Sequence, residues 1–181
     1  MKKYFIQYRL FLLFLGKFFL AFVLLAFIYK MYLNSFGENN IDSITEFVGH
    51  NTKNTLQLID NQSYLIHNNT KNYIQIFYQK KYVSRIIEGC NGISVIILFI
   101  SFIFAFSGKW KQTVVFMVTG SIIIYALNVF RIALLSVLLF YYPEYEHVLH
   151  GVIFPLIIYG VVFILWVIWV NKFSNFASKS V

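Results

Sequence analysis

Four apolar blocks interrupt the chain, and each can be tested against the roughly 20 residues, at about 1.5 Å apiece, that cross about 30 Å of hydrocarbon. The first, Leu10–Tyr29, reads LFLLFLGKFFLAFVLLAFIY and holds one interior charge, Lys17, which can face a neighbouring helix or snorkel. It is longer than a signal-peptide core and no small-residue cleavage site follows it, so it is expected to persist as an anchor. The others run from about Gly92 to Ser107, from Thr113 to about Phe130 and from Val152 to Val170, with irregularities at Gly120 and Pro155 that neighbouring helices would cover. The fold class expected is an all-α integral membrane protein of about four transmembrane helices, with a small extracytoplasmic domain between the first and second. Composition supports this: 59% hydrophobic and 12% charged residues depart from the half and quarter typical of soluble domains and argue against a soluble enzyme.

Lys and Arg near span ends stay cytoplasmic. Lys2, Lys3 and Arg9 precede the first block, Lys109 and Lys111 separate the second and third, and Lys172 and Lys179 follow the fourth. Both termini are then cytoplasmic, and the same topology puts Glu38, Asp42, Glu46, Asp60, Glu88, Glu144 and Glu146 outside. It also accounts for the net charge of +8, which no basic stripe on a polar domain directs toward nucleic acid. The chain divides into a tail and anchor (1–33), an extracytoplasmic loop domain (34–88), a three-span core (89–173) and a cytoplasmic tail (174–181). In the loop, Ser43 with Glu46 resembles a capping box, and Ile44, Phe47, Val48, Leu56 and Ile59 can line one or two short helices. Tyr64–Ile66, Tyr73–Tyr78 and Tyr82–Ile87, separated by HNNTKN and QKK, predict a small hairpin or meander.

Three polar residues stand at the outer ends of apolar blocks. Cys90, the single cysteine, lies in Glu-Gly-Cys-Asn-Gly where the loop becomes a helix. It reads either as a small apolar filler or as a nucleophile, because flanking glycines allow close backbone approach and a helix N-terminus favours a thiolate. In the second reading Asn91 and Gly92 supply backbone N–H groups to an oxyanion. Arg131, in Asn-Val-Phe-Arg, is costly beside hydrocarbon and reads as functional, the structural options being snorkelling or an ion pair with Glu88 or Glu144. Asn128, one turn before it, can steady the guanidinium or a substrate carbonyl. His147 and His150 open the fourth block at a spacing that suits either two metal ligands or a general base for Cys90. No convincing third ligand accompanies them, so neither metal nor cofactor is expected. All three positions fall in one outer layer, whether the chain turns along the interface after Arg131 or continues to Tyr141 as one tilted helix.

Glu-x-Cys-x-Gly at 88–92, Asn-x-x-Arg at 128–131 and Leu-His at 149–150, in that order and each at a membrane boundary, resemble the exosortase/archaeosortase family. The short chain, the Cys-Asn-Gly form and the ending FPLIIYGVVFILWVIWVNKF look most like the exosortase F branch. The resemblance covers residues 83–173. It implies a bacterial inner-membrane cysteine protease or transpeptidase with Cys90 as nucleophile, His150 as base and Arg131 as stabiliser of the tetrahedral intermediate. It also implies exported substrates with a C-terminal tripartite sorting signal, an envelope acceptor and a small membrane partner protein. Asn91 stands where the family often has Ser or Ala, and Gly151 where it often has an acidic residue, which keeps His147 open as an alternative base. Two readings compete: a non-catalytic membrane subunit of an envelope or exopolysaccharide assembly system, and a metal-dependent intramembrane enzyme using His147 and His150.

Overall fold

The computed structural model describes residues 8–37, 40–68, 72–106 and 108–174; Lys2, Lys3, Glu38, Lys179 and nearly all of the expected tail 174–181 lie outside the described residues. Helix α1 (Arg9–Asn34) is followed by α2 (Ser43–Gln57), strands β1 (Tyr64–His67), β2 (Tyr73–Tyr78) and β3 (Lys81–Ile87), and a 3-10 turn, Glu88–Cys90. Then come α3 (Ile93–Ala105), α4 (Trp110–Tyr141) and a helical run whose regular body is α5 (Phe154–Ile168). The stretches Phe11–Asn34, Trp110–Tyr141 and Pro143–Phe173 are each long and apolar enough to cross a membrane.

Three expectations are corrected. The second block forms a helix of only 13 residues, about 20 Å long. Its start is fixed by the left-handed Gly92 (φ 82°) and its end by the extended Phe106 (ψ 93°). The third block does not stop near Phe130 but takes the other course left open, to Tyr141: Arg131 to Tyr142 contains neither Gly nor Pro, so the helix runs on until the approach to Pro143. The fold is mainly helical rather than all-α, because the meander foreseen in the loop is a three-stranded antiparallel sheet of order β1-β2-β3. A two-residue turn joins β2 to β3 with both Gln79 (φ 49°) and Lys80 (φ 63°) left-handed, the geometry that matches strand twist in tight hairpins. The α2 cap also moves one residue: Asp42, not Ser43, accepts the N–H groups of Ile44 and Thr45, both at 3.0 Å.

The helices run in opposite senses between two levels. At the sheet end, the Asn91 side-chain amide donates to the Tyr29 hydroxyl at 2.6 Å. At the other end, the Phe14 ring lies 4.3 Å from Phe106, and Trp169 Nε1 donates to the Phe106 carbonyl at 3.1 Å. Between these levels Phe99, Ile103, Ile124, Val162 and Trp169 form one core, where Gly120 lets the Phe99 ring approach α4.

Along α4 the distance from Trp110 to Asn128 is about 27 Å, close to a hydrocarbon thickness. Beyond it the helix becomes a wall for the sheet and α2, whose core of Val48, Leu56, Ile74, Ile76 and Ile86 closes on Val129, Ile132 and Ala133. Polar and aromatic contacts fix the register. Asn51 donates to the Tyr125 hydroxyl at 2.7 Å, the Ser84 and Ser136 hydroxyls are 2.8 Å apart, and Tyr78 meets Phe140 edge-on at 5.3 Å. Burial there pushes the Tyr78 phenol above its ordinary range.

Candidate active site

Cys90, Arg131 and His150, which are 19 residues or more apart in sequence, line one cavity of about 510 Å³. Its walls are β3 from Tyr82 to Ile87, a stripe of α4 at Arg131, Ile132, Leu135 and Leu139, and the start of the last helical run at Glu146 and His150. Arg131, Leu135 and Leu139 repeat at i, i+4, i+8 and so share a face; Glu146 and His150 do the same. Cys90 closes the end toward which β3 points. His147, the alternative base, is not among the residues lining the cavity, and His150, which is, shares its exposure to solvent.

Three consecutive residues have three different tasks at the thiol. The Cys90 carbonyl accepts the Asn128 side-chain amide at 2.8 Å, which fixes the turn against α4. Asn128 therefore holds the backbone that presents the thiol. Asn91 is buried and acts as a hub, its amide donating to the hydroxyls of Tyr29 (2.6 Å) and Thr45 (3.0 Å) while its side-chain oxygen accepts the Ile93 N–H at 3.0 Å. Its own N–H is turned to the Glu88 carbonyl at 3.3 Å. Gly92 is required twice over, by its φ of 82° and because a Cβ would stand 3.1 Å from Asn128 Cγ.

Arg131 is half-buried, with Nε shut away from solvent and without a hydrogen-bond partner. Among the described residues it forms no ion pair, with Glu88, Glu144 or any other carboxylate. Its guanidinium thus keeps unspent donors at the wall of the cavity that Cys90 also lines.

His150 sits in a π-helical stretch, Leu149–Ile153, closed by an i+5 bond from the Phe154 N–H to the Leu149 carbonyl. Pro155 accounts for it: the ring has no N–H to offer the carbonyl of Gly151 and crowds it, so the helix widens before the proline. Arg85 and Glu146 are cavity residues that sequence reasoning missed. Glu146 carried a signal, standing one turn before His150; Arg85 carried none, since its placement depends on how β3 meets α4. Among the described residues no three His, Cys, Asp or Glu side chains converge as a metal-ligand set.

Apolar helices of spanning length, with a thiol, an imidazole and a guanidinium lining one cavity, define the class as a membrane protein with a polar-lined cavity among its helices and sheet. A family model described as transmembrane exosortase matches residues 5–170, well beyond the 83–173 on which the sequence resemblance rests, and the chain belongs to that family. Membership makes it a multi-pass membrane protein with a transpeptidase or protease role in general. Searches of curated proteins and of solved structures returned no match.

Proposed function

We propose that the chain is an exosortase of the F type that cleaves C-terminal sorting signals of exported, membrane-anchored proteins through a thioacyl intermediate on Cys90 and passes the product to an envelope acceptor. The observation that carries this reading is the single cavity gathering Cys90, Arg131 and His150. His150 takes the thiol proton, and the Cys90 sulfur attacks the scissile carbonyl. Arg131 donates to the oxyanion of the tetrahedral intermediate. His150 then returns its proton to the leaving amine as the C–N bond breaks, leaving a thioester. Water or an acceptor nucleophile resolves that thioester by the reverse sequence. The Asn91 N–H serves the oxyanion only if it leaves the Glu88 carbonyl, which leaves Arg131 and the Gly92 N–H as the stabilisers.

On this reading the sheet end faces outward from the bacterial inner membrane and both termini are cytoplasmic. Arg9, Lys109, Lys111 and Lys172 gather at the opposite end of the bundle, as positive-inside charge requires. Helix α3, with the turns at its two ends, completes four crossings, and the α2 and sheet unit is the extracytoplasmic domain. A small membrane protein covering the exposed length of α1 is the partner expected.

The test is mass spectrometry of the full chain in membranes after incubation with an exported protein bearing such a signal. Wild type should gain the substrate's acyl mass at Cys90, and Cys90→Ala should gain none. His150→Ala should form the adduct roughly 10²–10⁴ times more slowly, and Arg131→Gln roughly 10²–10³ times more slowly. No adduct, with Cys90→Ala processing the substrate as wild type does, would overturn the reading and favour the non-catalytic subunit.

A further inference from the structure

Strand β3 lies at the end of the sheet and, among the described residues, pairs only with β2. An unpaired edge offers a row of N–H and C=O groups, which proteins normally cover or blunt. Here six consecutive residues, Tyr82 to Ile87, border the cavity that holds Cys90. Successive side chains of a strand point to opposite faces, so an unbroken run can line one space only if the strand presents its edge to it. The register slips at Val83, between the pairs Ile76↔Ser84 and Phe77↔Tyr82, a bulge of the kind that re-aims strands beside active sites.

The space beside that edge is elongated. Asn128 meets Cys90 at one end, and Ser136 meets Ser84 toward the other, so β3 and α4 run past each other in opposite senses, touching at Ser84, with the cavity along the side they share. From Tyr82 to Ile87 is about 16 Å at about 3.3 Å per residue, room for several residues of extended chain. The α4 side supplies Ile132, Leu135 and Leu139 for every second side chain of such a guest. We propose that this edge is the substrate subsite: the peptide preceding the scissile bond adds to β3 as a fourth, parallel strand and delivers its last carbonyl to Cys90. The strand's own direction decides the orientation. β3 runs toward Cys90 and α3 then descends from it, so a guest anchored by a helix on the C-terminal side of its scissile bond must approach along β3 in the same sense.

This rests on the cysteine reading above, and its test uses probes that need no turnover. Acetyl-trialanine acyloxymethyl ketone carries its residues on the N-terminal side of its electrophile, and so engages β3 only in the parallel sense. The Cys90 sulfur bonds to the probe's methylene carbon as the carboxylate leaves. Because the chain has one cysteine, intact-protein mass reads that site alone. Three versions, each methylated on one amide nitrogen, are compared by labelling rate on the full chain in lipid nanodiscs. Alternate N–H groups of an extended chain face the same way, so methylation should slow labelling by about tenfold at the first and third positions and not the second, or the reverse. Equal rates for all three, an equal fall in all three, or labelling no faster than by a small haloacetamide would overturn the proposal. An alternating pattern with no thioester from exported proteins would keep the subsite and remove the catalytic reading instead.

Discussion

At the scale of single residues, the site is a thiol held still by its neighbours. Gly92 and Asn128 are the pair to test, since one permits the turn and the other pins it to α4. Gly92→Ala should cost about 1–3 kcal/mol of strain at a left-handed position and displace Asn128. Asn128→Leu leaves the Cys90 carbonyl without its donor, at about 1–3 kcal/mol. Both variants should insert and fold yet process substrate at least about tenfold more slowly, read by thermal melting beside a processing assay; normal processing in both would show that the Cys90 backbone needs no such clamp. Cys90, Arg131 and His150 stood out in sequence because each is a polar residue in or beside an apolar block, and the structure brings them to one cavity. The task of Asn91 was not, because a side chain bonded to Tyr29 and Thr45 is defined by helices distant in sequence.

Among the elements, the last helical run shows how one residue sets another's position. Pro155 widens the turn that carries His150, and an inserted π residue rotates everything before it by about 100° relative to α5. Pro155→Ala restores the N–H, so the run should close into regular α-helix and turn His150 out of the cavity. Far-UV circular dichroism should show helicity kept or raised while processing falls by at least about tenfold; full activity would detach His150's position from the π turn. The strands were legible from their alternating aromatic and β-branched residues, with bounds that differ from the observed ones by a residue at most. Helix α4 was harder. Its second half is as apolar as a membrane segment, but Ile132 and Ala133 face the sheet's core, and a hydropathy pattern does not say whether an apolar residue meets lipid or protein.

Across the whole molecule, α4 makes the membrane core and the sheet unit one structure, and a defect in the upper core should be felt at the thiol. Ile74 is fully buried against α2 and α4. Ile74→Ala, at about 2–5 kcal/mol, should loosen the sheet from α4 and raise the alkylation rate of Cys90 by a small haloacetamide. A lower melting temperature with an unchanged alkylation rate would mean that the cavity is built without the sheet. The sharing of α4 between two layers was legible only as one of two courses left open after Arg131, because an apolar run to Tyr141 suits a tilted span and a wall for the sheet alike.

On the proposed reading, the distance along α4 from Trp110 to Asn128, about one hydrocarbon thickness, sets Cys90 at the height where a membrane-crossing chain emerges, and the enzyme works with the bilayer as its ruler. A tethered substrate hangs from its own helix like a plumb line, and the bond presented to the thiol is chosen by how many residues separate it from that helix as much as by its side chains. Inserting two or three residues between a substrate's motif and its membrane helix would move the motif off the mark while leaving its chemistry intact.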